Sequence, residues 1–268
     1  MENKLSTIFK RSLFGQILNE LRNHDSITHK VIPRYPRNSM SVSDLFIGGP
    51  EYLKTVFAAE NVLALSTGNA VPIRHKFVYV DSDGQVVNVD EVVTSERIYI
   101  HQLRHFGRGY FTFLHLTEAL DLDNDTNNAV YRQHRGLTGY MRNENDLVHY
   151  VHGNIGALYI SGRNTVKTLV KQRNKKTYTV QENFCEGMNY DFVIGNPTAK
   201  DLQLTIKGFN TKKVLIRSMS LNVKPFGISV FSNNGEDAIL SFTSKLPVTR
   251  PTVFESNANY SQFNVYHA

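Results

Sequence analysis

The sequence predicts a mainly β protein, an antiparallel β-sandwich or jelly roll that follows one amphipathic N-terminal helix. Three observations lead to this prediction. Roughly a dozen short segments alternate apolar with polar residues, and glycine, asparagine or proline turns separate them. The chain lacks the strand–helix alternation that builds parallel nucleotide-binding sheets. Only the first residues place apolar side chains at helical spacing.

The N-terminal segment is the predicted helix. Its apolar residues recur at spacings of three and four: Leu5, Ile8, Phe9, Leu13, Phe14, Ile17, Leu18 and Leu21. Such an apolar stripe packs on the helix's own domain, on a second copy of the chain or on a membrane surface. We favour packing against protein, because this is the commonest use of an amphipathic helix. Residues 24–41, with Pro33 and Pro36, read as an extended connector. The predicted division is residues 1–43 for helix and connector and 44–268 for the β domain.

The β domain begins with an ambiguous stretch, residues 44–70, in which we expect a short helix at 51–59. The apolar residues then recur at every second position, which is typical of a strand. Residues 73–80 and 86–93 predict a hairpin around the turn at 81–84, where Gly84 can adopt a positive φ. Further strands are expected at 96–103, 109–116, 147–154, 156–161, 176–184, 190–195, 202–209, 213–223, 226–231 and 238–244.

Alternation is clearest in the C-terminal half. Leu202, Leu204 and Ile206 alternate with polar residues, as do Phe226, Ile228 and Val230, which predicts one buried and one wet face for each strand. The tail, residues 250–268, is predicted to be a last edge strand or an arm that reaches a neighbouring subunit.

Composition restricts the class of protein and its cellular compartment. Hydrophobic residues make up 41% and charged residues 20% of the chain, as in folded domains. Neither a signal-peptide core nor a membrane span is found, and the single cysteine, Cys185, cannot form an internal disulfide. We therefore expect a cytoplasmic protein, or one that is exported without a cleaved signal peptide.

The net charge of +6 comes mainly from the second half of the chain. This asymmetry suits an anionic glycan or an acidic protein surface. Nucleic-acid binding is disfavoured, because the basic stretch 163–178 carries only one aromatic residue, Tyr178, for base stacking.

Residues 132–154 have the most unusual composition and are the predicted ligand site, together with a basic segment at 104–108. Arginine, histidine, tyrosine and asparagine side chains that converge on one surface suit the recognition of a polar ligand. The predicted ligand-binding residues are Arg104, His105, Arg108, Arg132, Arg135, Tyr140, Arg142, His149, His152 and Asn154.

A metal centre is the alternative to that interpretation. The candidate ligands are His101, His105, His115, His149 and His152, with Arg104 or Arg135 holding an anionic substrate. They form no His-X-His pair. Residues 121–132 begin like a calcium loop, but Thr126 and Arg132 stand where glycine and glutamate are needed. The sequence therefore assigns no cofactor, although a transition metal or calcium stays open.

The function that these observations favour is non-catalytic. Ser161 lacks the glycines of a nucleophile elbow, and Cys185 has no catalytic signature around it. We expect a binding or structural protein that recognises a carbohydrate or a protein partner, or assembles into a homo-oligomer. A metal-dependent enzyme on a jelly-roll scaffold is the alternative.

Overall fold

The computed structural model describes residues 42–61, 71–120, 136–143, 147–170, 176–181, 184–185, 187–235, 237–258 and 261–268. The predicted N-terminal helix therefore lies outside the described residues. The described chain forms β1 Ser43–Gly48, β2 Lys54–Glu60, β3 Ile73–Val80, β4 Val86–Thr94, β5 Ile98–Gln102, β6 Phe111–Ala119, β7 Leu137–Met141, β8 His149–His152, β9 Asn154–Ser161, β10 Thr165–Thr168, β11 Lys176–Gln181, β12 Met188–Gly195, β13 Leu202–Phe209, β14 Leu215–Val223, β15 Ile228–Asn233, β16 Ile239–Ser244, β17 Thr252–Asn257 and β18 Phe263–His267.

These strands form four sheets in which neighbouring strands pair antiparallel. Sheet I has the order β10-β9-β1-β6-β3-β4, sheet II β5-β2-β7-β8, sheet III β11-β16-β13-β14 and sheet IV β15-β12-β17-β18. Among the described residues, the helical structure is a single 3-10 turn at Gly162–Asn164. The prediction of a mainly β, antiparallel protein is confirmed.

Apolar clusters lie between the sheets. Sheets I and II share a cluster built on Phe46, Phe57, Phe77 and Phe113. Sheets II and IV meet through a second cluster that contains Tyr140, Val151, Val193 and Phe254. Sheets IV and III share the third, whose members include Phe192, Ile206, Phe231 and Phe242. The contacts of sheet II with sheets I and IV use the same face of sheet II, its inner face, so the opposite face points outward.

Local patterns predicted some elements well and one wrongly. The hairpin of β3 and β4 is confirmed, with Gly84 at a φ of 81° in its turn. The short helix at residues 51–59 is wrong, because 54–60 form β2, which pairs with β5 on one side and β7 on the other. Two neighbouring strands satisfy its backbone hydrogen bonds, and this outweighs the helix propensity of Ala58, Ala59 and Glu60.

The C-terminal alternation also differs in one detail. Leu202, Leu204 and Ile206 are buried in β13, as predicted, and so are Phe226 and Ile228. Val230 is 37% exposed, since β15 is the edge strand of sheet IV. The tail contributes β17 and β18, of which β18 is an edge strand.

A loop between β14 and β15, which we call the Phe226 loop (residues 224–227), joins the two halves of the chain. The Phe226 ring packs in the apolar cluster on the second face of sheet I. Its carbonyl accepts a hydrogen bond from Thr112 Oγ1 at 2.7 Å. A Cβ placed on Gly84 would collide with the carbonyl of Pro225. Backbone of the first hairpin therefore touches backbone of the Phe226 loop.

Within the described part of the chain, none of the helical structure has the length and apolar character that crossing a bilayer requires.

Candidate functional site

Four of the predicted ligand-binding residues lie at one end of sheet II. Arg104 and Arg108 follow β5, Arg142 follows β7, and His149 opens β8. Because neighbouring strands of this sheet run antiparallel, the ends of β5 and β7 and the starts of β2 and β8 coincide. The convergence that the sequence predicted is therefore present in part, with Arg104 and Arg108 exposed.

Three other predicted residues do not join that group. Tyr140 is fully buried, and its hydroxyl donates to the carbonyl of Ile47 at 2.6 Å. Asn154 is buried in β9 opposite Leu45. His152 lies at the opposite end of sheet II, where its carbonyl accepts a 2.7 Å hydrogen bond from His267 Nε2.

Two further predicted residues, Arg132 and Arg135, lie outside the described residues. His105 is on the loop after β5, with its ring edge-on to Phe111 at 6.0 Å between centroids. Its Nδ1 is buried and has no hydrogen-bond partner within the part of the chain that the structure describes.

A polar network that sequence reasoning missed lies between sheets I and II and is centred on Asp90. Its Oδ2 accepts a hydrogen bond from the Tyr79 hydroxyl at 3.0 Å and forms an ion pair with Arg104 Nε at 3.1 Å. Asn88 Nδ2 donates to Oδ1 at 3.1 Å. Arg104 has a side chain that is 67% exposed, whereas that of Asp90 is 13% exposed. An exposed cation thus covers a nearly buried carboxylate.

His101 extends this network through both ring nitrogens. Nε2 lies 3.3 Å from the Tyr79 hydroxyl, and Nδ1 lies 3.1 Å from the Tyr99 hydroxyl. The Tyr79 proton is committed to Asp90, so Nε2 donates to Tyr79 and Nδ1 accepts from Tyr99, which is the arrangement of a neutral imidazole. Burial lowers the pKa of His101, and only part of this is offset by Asp90. Burial, reinforced by Asp90, raises the pKa of Tyr79.

A second histidine pair lies deeper in the same layer. His75 Nδ1 and His115 Nε2 are 2.9 Å apart, and both residues are buried. The rings of Phe57 and Phe77 lie 4.7 and 4.9 Å from the His115 ring, and the His115 amide donates to Ser43 Oγ at 2.9 Å. Both imidazoles have almost no solvent contact, which favours a structural role.

The network has a sequence signal that could have been used. His75, Phe77 and Tyr79 occupy alternate positions of β3, and all three are buried on its inner face. A histidine and a tyrosine at core-facing positions need partners there. The partners come from β4, β5 and β6, and their register was not predictable from local sequence.

The histidines of the predicted metal centre are spread over separate places. His101 and His115 flank the Phe77 ring, His149 contacts Phe263, and His152 contacts His267. Across the described ranges, no three histidine, cysteine, aspartate or glutamate side chains are grouped so that they could hold a metal ion. The calcium-like segment, residues 121–132, lies outside the described residues.

We expect acid to destabilise the fold through His101 and His267. Burial is the main cause that lowers both pKa values below 6.5. The unfolded chain then binds more protons than the folded one as pH falls below 6.5, so the free energy of unfolding decreases until the folded-state pKa is passed. For each group, the free energy of unfolding decreases by at most about 1.4 kcal/mol per pH unit.

The measurement is urea unfolding at several pH values for the wild type and for His267→Gln, which keeps a donor for the His152 carbonyl. The variant should show a shallower loss of stability on acidification. Asn264→Gln, an exposed change on the same strand, is the control and should keep the wild-type slope. Equal slopes in all three proteins would contradict the assignment to His267.

The outward face of sheet II is unusual because large apolar side chains are exposed on it. Four of them are exposed, Ile98 by 56%, Ile100 by 50%, Leu137 by 42% and Tyr150 by 46%, beside the exposed polar residues Glu60, Gln102 and His152. Pairing places Ala58 between Ile100 and Leu137, and Val56 beside Gly139. Tyr150 and Val148 lie across Gly139. We call this surface the aliphatic face, made of Ala58, Ile98, Ile100, Leu137 and Tyr150; Val56 and Gly139 are buried beneath it.

The outward face of sheet III provides an internal comparison. Its exposed positions carry hydroxyl, amide or ammonium groups: Thr177, Thr179, Gln203, Lys207, Ser218, Ser220 and Asn222. Leu215 and Ile216, near the hairpin turn, are the exceptions, at 49% and 46% exposed. An antiparallel sheet normally shows such a polar face to water. The aliphatic face departs from this rule, and contiguous exposed apolar surface marks interaction sites.

Comparison with known proteins does not assign the chain to a family. No family model matches it, and no curated protein sequence matches it. A solved β-glucuronidase from glycoside hydrolase family 2 shows a distant likeness, with 12% sequence identity and a TM-score of 0.19. The alignment covers 87% of this chain and 24% of that protein. A likeness at this level carries no argument about fold or function.

Proposed function

We propose that this protein is a non-catalytic β protein that acts by contact with another protein surface, and that the aliphatic face is its contact surface. The observation that carries the proposal is the exposure of Ile98, Ile100, Leu137 and Tyr150 on one side of sheet II. Burying aliphatic surface is favourable by about 25 cal/mol per Å². A partner that covers these side chains therefore gains favourable free energy of association by burying them.

The chemistry of the buried groups supports a non-catalytic role. Asp90 is held by Tyr79, Asn88 and Arg104, and His101 is held neutral between two tyrosine hydroxyls. Such a network fixes side chains in place. It presents no nucleophile within the described residues, and its most exposed member is a guanidinium that cannot act as a base.

The experiment is site-specific photo-crosslinking in the cells that make the protein. A photoreactive phenylalanine analogue replaces Ile100 on the aliphatic face or, as the matched control, Ser220 on the polar face of sheet III. We expect a discrete protein adduct from position 100, several-fold stronger than from position 220. Equal yields at both positions, or no adduct at position 100, would contradict the proposed function.

We extend the proposal to the architecture and the setting. Two apolar layers, one between sheets I and II and one between sheets III and IV, support a sandwich in each half of the chain. The exposed single cysteine, Cys185, supports a reducing compartment. The exposed Arg104 and Arg108 support an anionic glycan as a further ligand class.

A further inference from the structure

The hairpin of β13 and β14 ends in an exposed tip that is both basic and aliphatic. Every residue from 211 to 216 is exposed, and we call this segment the hairpin tip. It carries two lysines followed by three aliphatic side chains: Lys212, Lys213, Val214, Leu215 and Ile216. A strand that packs on its own domain buries every second residue. The described part of the domain therefore covers neither side of the tip.

Backbone hydrogen bonds hold the tip in a defined shape. Asn210 Oδ1 accepts from the amides of Lys212 and Val214, both at 3.0 Å. The Asn210 amide donates to the carbonyl of Val214 at 3.0 Å, and its carbonyl accepts from the amide of Lys213 at 2.9 Å. A tip that is already ordered loses little conformational freedom when it binds a partner.

The charge of the hairpin has one sign. Residues 202–223 contain no aspartate or glutamate, and neither do the other strands of sheet III. Arg217 of β14 pairs with Asp237. Among the described residues, no ion pair involves Lys212 or Lys213. The tip therefore presents two cations to an anionic partner, directly beside its aliphatic side chains.

We infer that the hairpin tip inserts into the surface of a membrane that contains anionic lipid. The three aliphatic side chains enter the boundary between headgroups and acyl chains, and Lys212 and Lys213 contact the phosphates. The apolar stem of a lysine lies along such a boundary while its ammonium group reaches the headgroups. Apolar burial and attraction to anionic lipid both strengthen binding of this kind. The inference goes beyond the proposed function and uses a different surface.

The size of the tip favours lipid over an acidic protein surface. Two strands at about 4.8 Å spacing and three residues along them cover roughly 10 by 10 Å. A standard protein interface needs roughly 800 Å² from each partner. The next outward positions of β14, Ser218 and Ser220, are polar, so the apolar contact does not continue along sheet III. A fluid bilayer, in contrast, surrounds a narrow tip on both sides.

The first test is co-sedimentation of the full chain with vesicles, either of phosphatidylcholine alone or of an equimolar mixture of phosphatidylcholine and phosphatidylserine. The wild type should bind the mixed vesicles and bind phosphatidylcholine much more weakly. The double variant Lys212→Gln, Lys213→Asn should bind the mixed vesicles roughly 30-fold more weakly, because each lysine contributes about fivefold. Lys213 has a φ of 61°, which asparagine tolerates better than lysine, so this variant should be no less stable than the wild type.

Sheet I offers a control with the same changes of charge and backbone. Arg163 has a φ of 71°, and both it and Lys167 are exposed. The double variant Arg163→Asn, Lys167→Gln should bind the mixed vesicles to within about three-fold of the wild type. An equal loss in both double variants would mean that net charge alone drives binding, and it would overturn the inference.

The second test concerns the aliphatic side chains. Val214→Thr with Ile216→Thr keeps the branched shape and should weaken binding to the mixed vesicles roughly tenfold. Ile98→Thr with Ile100→Thr on the aliphatic face is the matched control and should bind like the wild type. Membrane binding lost in the control instead would overturn the inference, whereas the proposed function is decided separately by crosslinking from position 100.

The third test uses the absence of tryptophan from the chain. Leu215→Trp introduces a single tryptophan, whose emission should shift to shorter wavelength with the mixed vesicles and be quenched by brominated lipid. Tyr150→Trp on the aliphatic face should show neither change. Thermal unfolding of every variant checks that it folds. A wild type that binds no mixed vesicles, which would leave an acidic protein surface as the partner, or Leu215→Trp emission that stays unshifted, overturns the inference.

Discussion

Replacing Arg217 with methionine should lower the free energy of unfolding by about 3 kcal/mol. The guanidinium pairs with Asp237, whose side chain has no exposed surface, and it donates to Asn233 Oδ1 at 3.2 Å. It also lies over the Phe231 ring, 4.6 Å from the centroid. Methionine keeps the aliphatic stem and removes the charge. Asp237 is then left in the interior without its cation, which costs more than the pair contributes when intact.

The chain offers a matched control for this change. Lys224 pairs with Asp201 at 3.1 Å, but those side chains are 50% and 44% exposed. Lys224→Met should leave the free energy of unfolding nearly unchanged, because water screens an exposed pair. Urea unfolding compares the two variants. If Arg217→Met lowered the free energy of unfolding no more than Lys224→Met does, burial would not determine how much the Arg217–Asp237 pair contributes to stability.

A second large loss of stability is expected from Phe226→Ala, again about 3 kcal/mol. The Phe226 ring packs against the apolar face of sheet I, and alanine leaves a cavity there. The backbone conformation of Phe226 is also unusual. Phe226 has a φ of 61°, which suits glycine better than any residue with a Cβ.

Phe226→Gly should therefore be more stable than Phe226→Ala, by about 1 kcal/mol, although glycine in place of alanine normally destabilises a fold. Phe231→Ala against Phe231→Gly is the control pair. Phe231 lies within β15, so glycine should be the worse replacement there. If alanine were the better residue at both positions, the strained conformation of Phe226 would not contribute to stability.

Much of the β structure could be predicted because its cause is local. The turn at Asp81 and Gly84 and the alternation of Leu202, Leu204 and Ile206 are written in a few consecutive residues. β2 was missed for the opposite reason. The residues Ala58, Ala59 and Glu60 favour a helix by themselves, and the strand exists because β5 and β7 supply hydrogen-bond partners from far along the chain.

The candidate site shows the same limit. Exposed Arg104 and Arg108 were found by composition, since arginine in a glycine-containing loop stands out. Tyr140 and Asn154 were predicted to bind ligand for the same reason, but both side chains are buried inside the fold. The aliphatic face was not predictable, because Ile98, Ile100 and Leu137 read as ordinary core residues until the sheet order turns their side of sheet II outward.

The Phe226 loop has a consequence for how the chain is made. Sheet I ends at β10, yet one of its buried apolar side chains arrives with residue 226, after β11 to β14 have been synthesised. A nascent chain that stops before this residue carries six strands with an uncapped apolar face. Such a face invites pairing with the wrong chain. We therefore expect the first half to complete its folding late, when residues 224–227 dock on it, because this contact joins parts of the chain that are far apart in sequence.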